Sequence, residues 1–353
     1  MRRRTKKKNI SPRRAVIYLT IFAMIWLADY VYTNYIEPQQ EQIENITNNT
    51  SAKTSLTTEE PASTNTSAPK KSKEQKSEAA PKSSNKTASK GKTYRSGWAE
   101  LPAAPTHKEL YATHHLHAEG QRNFSVCFSS KHHCPVWVAA PLHKSYKGDV
   151  KRHNSFTLDP TLSIDLQPLL TRSFGEYTRG HLLGSAERTA SREMNEQTFY
   201  ATNIAPQLQS GFNAAGGAWN NTEKAVDKQI CSDTLYVVTG CIFEDYTHPD
   251  GRVVKASTTV NKNDNKLIGV PTAYYKAMLR TKRGTTGKSV TECSADELKC
   301  AAIIVPHLSA SGYKPSKTDL ISIKELEKLS GLEFFANVEN APKGRVNPSE
   351  WGF

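Results

Sequence analysis

The chain has 353 residues, with 47 lysines and arginines, 34 aspartates and glutamates, and a formal net charge of +13. Such an excess of positive charge first suggests a protein that binds nucleic acid. Its distribution does not support that reading, because residues 1–14 carry eight basic groups and no acidic one, whereas residues 98–353 carry 29 basic and 26 acidic groups. The composition excludes a polytopic membrane protein, a collagen-like chain and a wholly disordered chain.

The first segments in chain order are typical of export. After the basic residues 1–14, residues 15–36 form a mostly apolar run with an aromatic-rich end. A helix that spans a bilayer needs about 20 mostly apolar residues, and basic residues favour its cytoplasmic side. We therefore predict an uncleaved signal anchor, and a cleaved signal peptide is the alternative. Both place the rest of the chain outside the cytoplasm, either tethered to the membrane or secreted.

Residues 37–97 are predicted to be a disordered, low-complexity linker, because they contain almost no large apolar side chains that could offset the entropy of ordering. Residues 98–353 are predicted to be the folded domain, and they contain all six cysteines. An even number of cysteines in an exported domain indicates disulfides. Proximity in sequence suggests the pairs Cys127–Cys134, Cys231–Cys241 and Cys293–Cys300.

The folded domain alternates β-rich and helical segments. Segments rich in β-forming residues between turn residues predict strands at 124–128, 136–140, 235–239, 273–279 and 301–305. Apolar spacing predicts one helix over 219–230 and another over 323–329 that ends at Gly331. Strands dominate the centre, so the prediction is an α+β domain with a central, mainly antiparallel sheet and flanking helices.

Three blocks, 177–184, 198–207 and 211–223, carry side chains suited to phosphodiester hydrolysis. A neutral imidazole at His181 can take a proton from water near neutral pH, and Arg179 beside it can hold an anionic substrate. Asn213 offers one amide oxygen, which would leave most coordination positions of Mg²⁺ to water and phosphate. Glu223 can bind those waters. These parts together predict metal-assisted hydrolysis.

The same blocks resemble the DNA/RNA non-specific endonuclease family, whose active site is a ββα-metal motif. The family pattern Thr-Phe-Tyr-x-x-Asn-x-x-Pro-Gln matches residues 198–207 fully, and the following Asn, Gly, Trp and Glu match at Asn213, Gly217, Trp219 and Glu223. Similarity extends upstream to 122–126 and 135–142, and downstream to 326–331 and 334–335. The resemblance therefore covers most of residues 98–353.

The resemblance implies an Mg²⁺-dependent enzyme, with Mn²⁺ as the alternative metal, that cuts DNA and RNA and leaves 5′-phosphate ends. It implies that His181 is the general base, that Asn213 is the direct protein ligand of the metal, and that Glu223 orders the waters of the metal. Asn203 is implied to position His181, and Arg179 to contact phosphate. Arg152 is the candidate for the further family arginine that stabilises the transition state. No inhibitor protein and no oligomeric state follow from the sequence.

Two departures from the family pattern stand out. Thr178 occupies the position of the usual Asp, and two extra residues separate Asn213 from Trp219. The helix that presents Glu223 is therefore expected to begin with a bulge or a loop. Taken alone, Asn213 is also typical of a helix N-cap. The two departures motivate an alternative function, a catalytically weakened and membrane-tethered module that binds nucleic acid.

Overall fold

The computed structural model describes residues 97–117 and 120–353. The predicted basic segment, membrane anchor and linker lie outside these residues, apart from Gly97. In the described part of the chain, no helix is both long enough and apolar enough to cross a membrane.

A seven-stranded antiparallel sheet forms the centre of the domain, in the order β1-β2-β3-β6-β11-β12-β13. This confirms the predicted sheet-dominated fold with few helices. The strands of the sheet are β1 (Leu110–Leu116), β2 (Arg122–Ser129), β3 (Cys134–Leu142), β6 (Leu235–Ile242), β11 (Ala273–Thr281), β12 (Leu298–Pro306) and β13 (Leu320–Ile321). The five predicted strands correspond to β2, β3, β6, β11 and β12.

Three two-stranded antiparallel sheets and three α-helices accompany the large sheet in the described residues. The strands of these small sheets are β4 (Thr178–His181) with β5 (Ile204–Gln207), β7 (Tyr246–Thr247) with β8 (Val253–Val254), and β9 (Ser257–Val260) with β10 (Leu267–Val270). The helices are α1 (Arg192–Gln197), α2 (Ala218–Asp227) and α3 (Ile323–Ser330). Helices α2 and α3 are the two that the apolar spacing predicts.

Each face of the sheet contributes to its own apolar core, because successive side chains of a strand point to opposite faces. On one face Tyr274 and Met278 pack with Trp219 of α2. On the other face Tyr275 and Ala277 pack with Leu326 of α3. The sheet thus separates the α2 side, which carries the three sequence blocks, from the α3 side.

The three predicted disulfides are wrong, since all six cysteines have free thiols. Cys127 and Cys134 are close in sequence but belong to the cores on opposite faces of the sheet. Burial raises the pKa of the Cys127 and Cys300 thiols to about 12, so both stay protonated. Cys293 donates a hydrogen bond to the carbonyl of Ser289 at 3.3 Å. These residues act as small apolar core side chains.

Candidate active site

The three sequence blocks fold into two strands and a helix that follow one another along the chain. Strand β4 pairs antiparallel with β5, with Thr178 opposite Gln207 and His181 opposite Ile204. After β5 the chain makes a wide turn over Gln209–Asn213 and then enters α2. This is the ββα arrangement that the resemblance implies.

His181 at the end of β4 is almost completely buried, with 9% of its surface exposed. Its ring contacts the rings of Phe199 and Phe156 edge-on, with centroids 4.8 and 5.6 Å away. Burial, reinforced by the positive charges of Arg152 and Arg179, lowers the pKa of His181 to about 3. The imidazole is therefore neutral at neutral pH and can accept a proton.

The Nε2 atom of His181 is buried and has no hydrogen-bond partner among the described residues. Buried polar atoms are nearly always paired, so an unpaired one needs an explanation. A water molecule or a substrate atom bound at this nitrogen would satisfy it. The free nitrogen thus marks the point where the imidazole can act on a ligand.

Arg179 lies on the same face of β4 as His181, because the two positions are separated by one residue. Its guanidinium stacks over the ring of Phe156 at 3.8 Å and donates a hydrogen bond to the Leu170 carbonyl at 2.5 Å. Burial and the charge of Arg152 lower the pKa of Arg179. The packing fixes the guanidinium beside the imidazole.

Arg152 approaches from the loop before β4. Its guanidinium lies over the ring of Phe199 at 4.9 Å and donates to Ser185 Oγ at 3.0 Å. Neither Arg152 nor Arg179 has a carboxylate partner in the described part of the chain. Two uncompensated cations beside a neutral imidazole form a site that attracts an anion such as phosphate.

Asn203 is fully buried behind His181 rather than beside it. Its carbonyl accepts a hydrogen bond from Leu182 N, and its Oδ1 accepts one from Leu183 N at 2.9 Å. Its Nδ2 donates to the carbonyls of Leu183 and Thr198 at 2.9 and 2.6 Å. The Asn203 amide therefore fixes the chain directly after His181, which is what a positioning residue requires.

Asn213 is partly exposed at the end of the wide turn. The turn is closed by hydrogen bonds from Asn213 N to the Leu208 carbonyl and from Ala214 N to the Gln209 carbonyl. Helix α2 begins only at Ala218, and Gly217 is its N-cap. The helix-cap reading of Asn213 is therefore wrong, and the two extra residues lie in the loop expected before the helix.

Glu223 lies in the middle of α2, partly buried, and forms no hydrogen bond or ion pair with His181 in the described residues. Burial raises the pKa of Glu223 to about 7; the Lys276 ammonium opposes this, and the carboxylates of Glu187 and Asp227 add to it. A bound cation would favour the ionised form.

The oxygen donors of Asn213 and Glu223 are the type that Mg²⁺ and Mn²⁺ prefer. The described residues contain no group of three or more histidines, cysteines, aspartates or glutamates that could hold a metal. The donors fit a cation that keeps most of its positions for water and substrate.

Comparison with known proteins identifies the family. The model of the DNA/RNA non-specific endonuclease family matches residues 80–341. The chain belongs to this family.

Curated relatives agree with this assignment. The human mitochondrial nuclease EXOG is 27% identical over 224 residues, which cover 62% of this chain and 56% of EXOG. Human mitochondrial endonuclease G is 25% identical over 62% of this chain and 70% of its own length. Nuclease C1 of Cunninghamella echinulata var. echinulata is 26% identical over 64% of this chain and 84% of its own length. The chain thus matches only about half of EXOG.

A solved structure of the EndoG/EndoGI complex shares the fold. The match has a TM-score of 0.52 and 23% identity, and it covers 67% of this chain and 89% of that chain. At this identity the likeness concerns the fold alone.

Two features of this family member are not predicted from its sequence. Lys276 lies in the central strand β11, yet its side chain is buried; its Nζ donates to Thr239 Oγ1 at 3.1 Å and lies 5.3 Å from the ring of Trp219. Its positive charge lowers the pKa of Glu223 more than that of Lys224 does. A lysine inside a mostly apolar strand is the sequence signal that indicates a buried positive charge of this kind.

The second feature concerns Thr178 at the family Asp position. Strand alternation places its side chain on the opposite face of β4 from His181, next to Gln207 on the partner strand. On this face a Cβ at Gly180 would lie 2.1 Å from the Gln207 side chain, so only glycine fits. Thr178 therefore faces away from the imidazole and the two arginines.

Proposed function

We propose that this chain is a divalent-metal-dependent endonuclease that hydrolyses the phosphodiester bonds of DNA and RNA without sugar preference. The observation that carries the proposal is the neutral, buried imidazole of His181 on a ββα motif, with an Nε2 that has no partner among the described residues and with the charges of Arg152 and Arg179 close enough to lower its pKa. Membership of the non-specific endonuclease family supports the reaction and the substrate class.

In this proposal each side chain of the site has a separate role in the reaction. The Nε2 atom of His181 takes a proton from the attacking water, because the neutral imidazole is the form that can act as a base. Arg152 and Arg179 hold the phosphate oxygens and stabilise the negative charge that grows during the attack. The bond between phosphorus and the 3′ oxygen then breaks, and the leaving 3′ oxygen takes a proton from water, which gives a 3′-hydroxyl end and a 5′-phosphate end.

Asn213 would bind the metal directly, and Glu223 would hold it through the surrounding water. When bound, Mg²⁺ or Mn²⁺ supplies charge stabilisation at the phosphate. Asn203 would keep the chain after His181 in place during turnover. The domain is proposed to act outside the cytoplasm, tethered by residues 15–36 or secreted after their cleavage.

The test is cleavage of supercoiled plasmid and of RNA by the purified full chain, with Mg²⁺ and with EDTA. We expect both substrates to be cut only with metal, and His181→Ala to reduce the rate by about 1000-fold. His107→Ala is the matched control, since His107 is a largely exposed histidine outside the site. The product ends should accept label from a polynucleotide kinase only after phosphatase treatment.

The alternative, a weakened module that only binds nucleic acid, predicts a different result. It requires binding that persists in EDTA and no cleavage with any divalent metal. Equal activity of His181→Ala and the unaltered chain would remove the proposed base.

A further inference from the structure

The loop that contains the two extra residues is bound on one side by a distant segment of the chain, residues 307–313. We propose that this segment, here called the clamp, acts together with Asn221 to hold Asn213 in the position that binds the metal. The inference rests on the proposed function, and it assigns a positioning role to residues outside the three sequence blocks.

The clamp first contacts the beginning of the wide turn. The Leu208 N–H donates to Nε2 of His307 at 2.8 Å, and Nδ1 of His307 lies 2.8 Å from the Pro271 carbonyl. Burial lowers the pKa of His307 to about 4, so its ring is neutral at neutral pH. The neutral ring can donate at Nδ1 and accept at Nε2 at once, and both nitrogens are used.

Two further contacts hold the middle of the turn. Ser309 Oγ donates to the Ser210 carbonyl, and Ala310 N donates to the Gly211 carbonyl, each at 2.8 Å. Gly211 has a φ of +70°, and a Cβ there would lie 2.3 Å from Ser309 Oγ. The clamp therefore approaches the backbone immediately before Asn213 as closely as glycine permits.

Asn221 joins the clamp to the inserted loop. Its Nδ2 donates to the carbonyls of Tyr313 and Gly216 at 2.6 and 3.1 Å. Gly312 N also donates to the Gly216 carbonyl at 2.8 Å. One side chain of α2 thus bridges the loop on one side of Asn213 and the clamp on the other.

The clamp is itself anchored in the domain. The Tyr313 hydroxyl donates to Asp319 and accepts a hydrogen bond from Arg252 Nη2 at 3.1 Å. His248 lies between two carboxylates, with Nδ1 2.9 Å from Asp250 and Nε2 3.2 Å from Asp319. Because His248 and Asp319 are fully buried, this network gives the clamp a rigid base.

The physical reason for a clamp follows from the insertion. Residues 214–217 include two glycines, and each ordered residue of such a loop costs about 1–2 kcal/mol of backbone entropy. Asn213 is proposed as the direct protein ligand, so no other ligand would correct its orientation. Partners that orient a metal ligand typically change metal affinity by about 10–100-fold when they are removed.

The experiment measures Mn²⁺ binding to the full chain by electron paramagnetic resonance, independently of cleavage. We expect Asn221→Ala to weaken Mn²⁺ binding about tenfold, and Ser309→Ala, which removes a single hydrogen bond, about threefold. The Mn²⁺ concentration for half-maximal plasmid cleavage should rise by the same factors. The rate at saturating Mn²⁺ should stay within about twofold, since His181 and the arginines are untouched.

Asn340→Ala is the matched control, because its amide donates to the Cys293 carbonyl at 3.2 Å on the other side of the sheet. It should bind Mn²⁺ as the unaltered chain does. Unchanged binding in Asn221→Ala, or an equal loss in the control, would overturn the clamp. If Asn221→Ala does not fold in EDTA, Mn²⁺ binding by Ser309→Ala tests the proposal in its place. Unchanged Mn²⁺ binding in Ser309→Ala would then overturn the clamp.

The two proposals can fail separately. If the unaltered chain binds Mn²⁺ and Asn221→Ala binds it more weakly, but neither cuts nucleic acid, the clamp stands and the nuclease proposal falls. If cleavage is normal and Asn221→Ala has the metal dependence of the unaltered chain, the clamp falls alone. An unaltered chain that binds no Mn²⁺ contradicts both.

Discussion

The two longest helices of the domain are held by different means. Helix α3 begins with a capping box, in which Ser322 Oγ accepts from Glu325 N and Glu325 Oε2 accepts from Ser322 N. Helix α2 begins at Ala218, and its N-cap, Gly217, has no side chain that could form a capping bond. The start of α3 is thus capped by its own residues, whereas the loop before α2 is held at Gly216 by Asn220, Asn221 and the clamp.

The difference extends to the two faces of the sheet. On the α3 side Phe334 is fully buried and packs edge-on against Tyr275 at 5.7 Å, and the Tyr275 hydroxyl has no hydrogen-bond partner among the described residues. The α2 side contains an unpaired histidine nitrogen, the buried ammonium of Lys276 and two arginines without carboxylates. Buried charges and unpaired polar atoms that serve a binding site lower the stability of the folded domain. The packing on the other face of the sheet therefore has to supply stability.

The largest expected effect tests whether packing on the α3 side contributes to stability and not to activity. Phe334→Ala should lower the free energy of unfolding by about 4 kcal/mol, because it leaves a cavity in a packed core. The rate of plasmid cleavage by the folded fraction should not change. Urea unfolding followed by tryptophan fluorescence measures the first quantity, and Leu329→Ala, at a position 48% exposed on α3, is the control. A large loss of cleavage rate at full folding would contradict this expectation.

The second effect concerns pH and the buried histidine of the clamp. The pKa of His307 falls from its ordinary value of 6.5 to about 4 in the folded chain. The unfolded chain therefore binds the proton more readily between these values, so stability is present above pH 6.5 and is lost as pH falls toward 4. The full loss amounts to about 3 kcal/mol.

His307→Gln should reduce the loss of stability as pH falls, since glutamine does not titrate but can still accept and donate hydrogen bonds. Urea unfolding at several pH values measures it. His181 also has a lowered pKa, so its substitution should remove a further part. If the free energy of unfolding of His307→Gln depends on pH as it does in the unaltered chain, the acid sensitivity comes from other groups.

The third effect lies in the site itself. Arg179→Ala should reduce the rate of plasmid cleavage about 100-fold, equivalent to about 3 kcal/mol of transition-state stabilisation. The free energy of unfolding should fall by only about 1–2 kcal/mol, from the lost stacking on Phe156 and the lost hydrogen bond to the Leu170 carbonyl. Arg192→Ala is the control, since that arginine already pairs with Glu196 on α1. Equal rate losses in both variants would argue against a specific role for Arg179.

Sequence predicted the parts that depend on local pattern. The strands β2, β3, β6, β11 and β12 carry dense runs of β-forming residues, and both longer helices have apolar spacing. The ββα arrangement was implied by the resemblance of the blocks around His181 and Asn213 to the non-specific endonuclease family, and not by their local pattern. Strand β1 was missed because its sequence, Leu110–Leu116, mixes histidines with apolar residues and gives no clear alternation.

What sequence did not predict depends on contacts between distant residues. His307 meets Leu208 across 99 positions, and no local pattern signals that contact. The pairing of Cys127 with Cys134 failed because strand geometry sends neighbouring cysteines to opposite faces of the sheet. Lys276 is visible in the sequence as a charge in a mostly apolar strand. Its role in the site could be recognised only from the folded structure.

The smallest effect compares the helix starts directly. Ser322→Ala should lower the free energy of unfolding by about 1 kcal/mol through the lost cap, without a change in cleavage rate. The reciprocal change, Gly217→Ser, adds a good capping residue to α2 but should also destabilise the chain, because its Cβ would lie 2.3 Å from the Phe212 carbonyl oxygen. It should weaken Mn²⁺ binding as well, since Phe212 precedes Asn213. A stabilised Gly217→Ser with normal metal binding would mean that α2 tolerates a local cap and does not depend on the clamp.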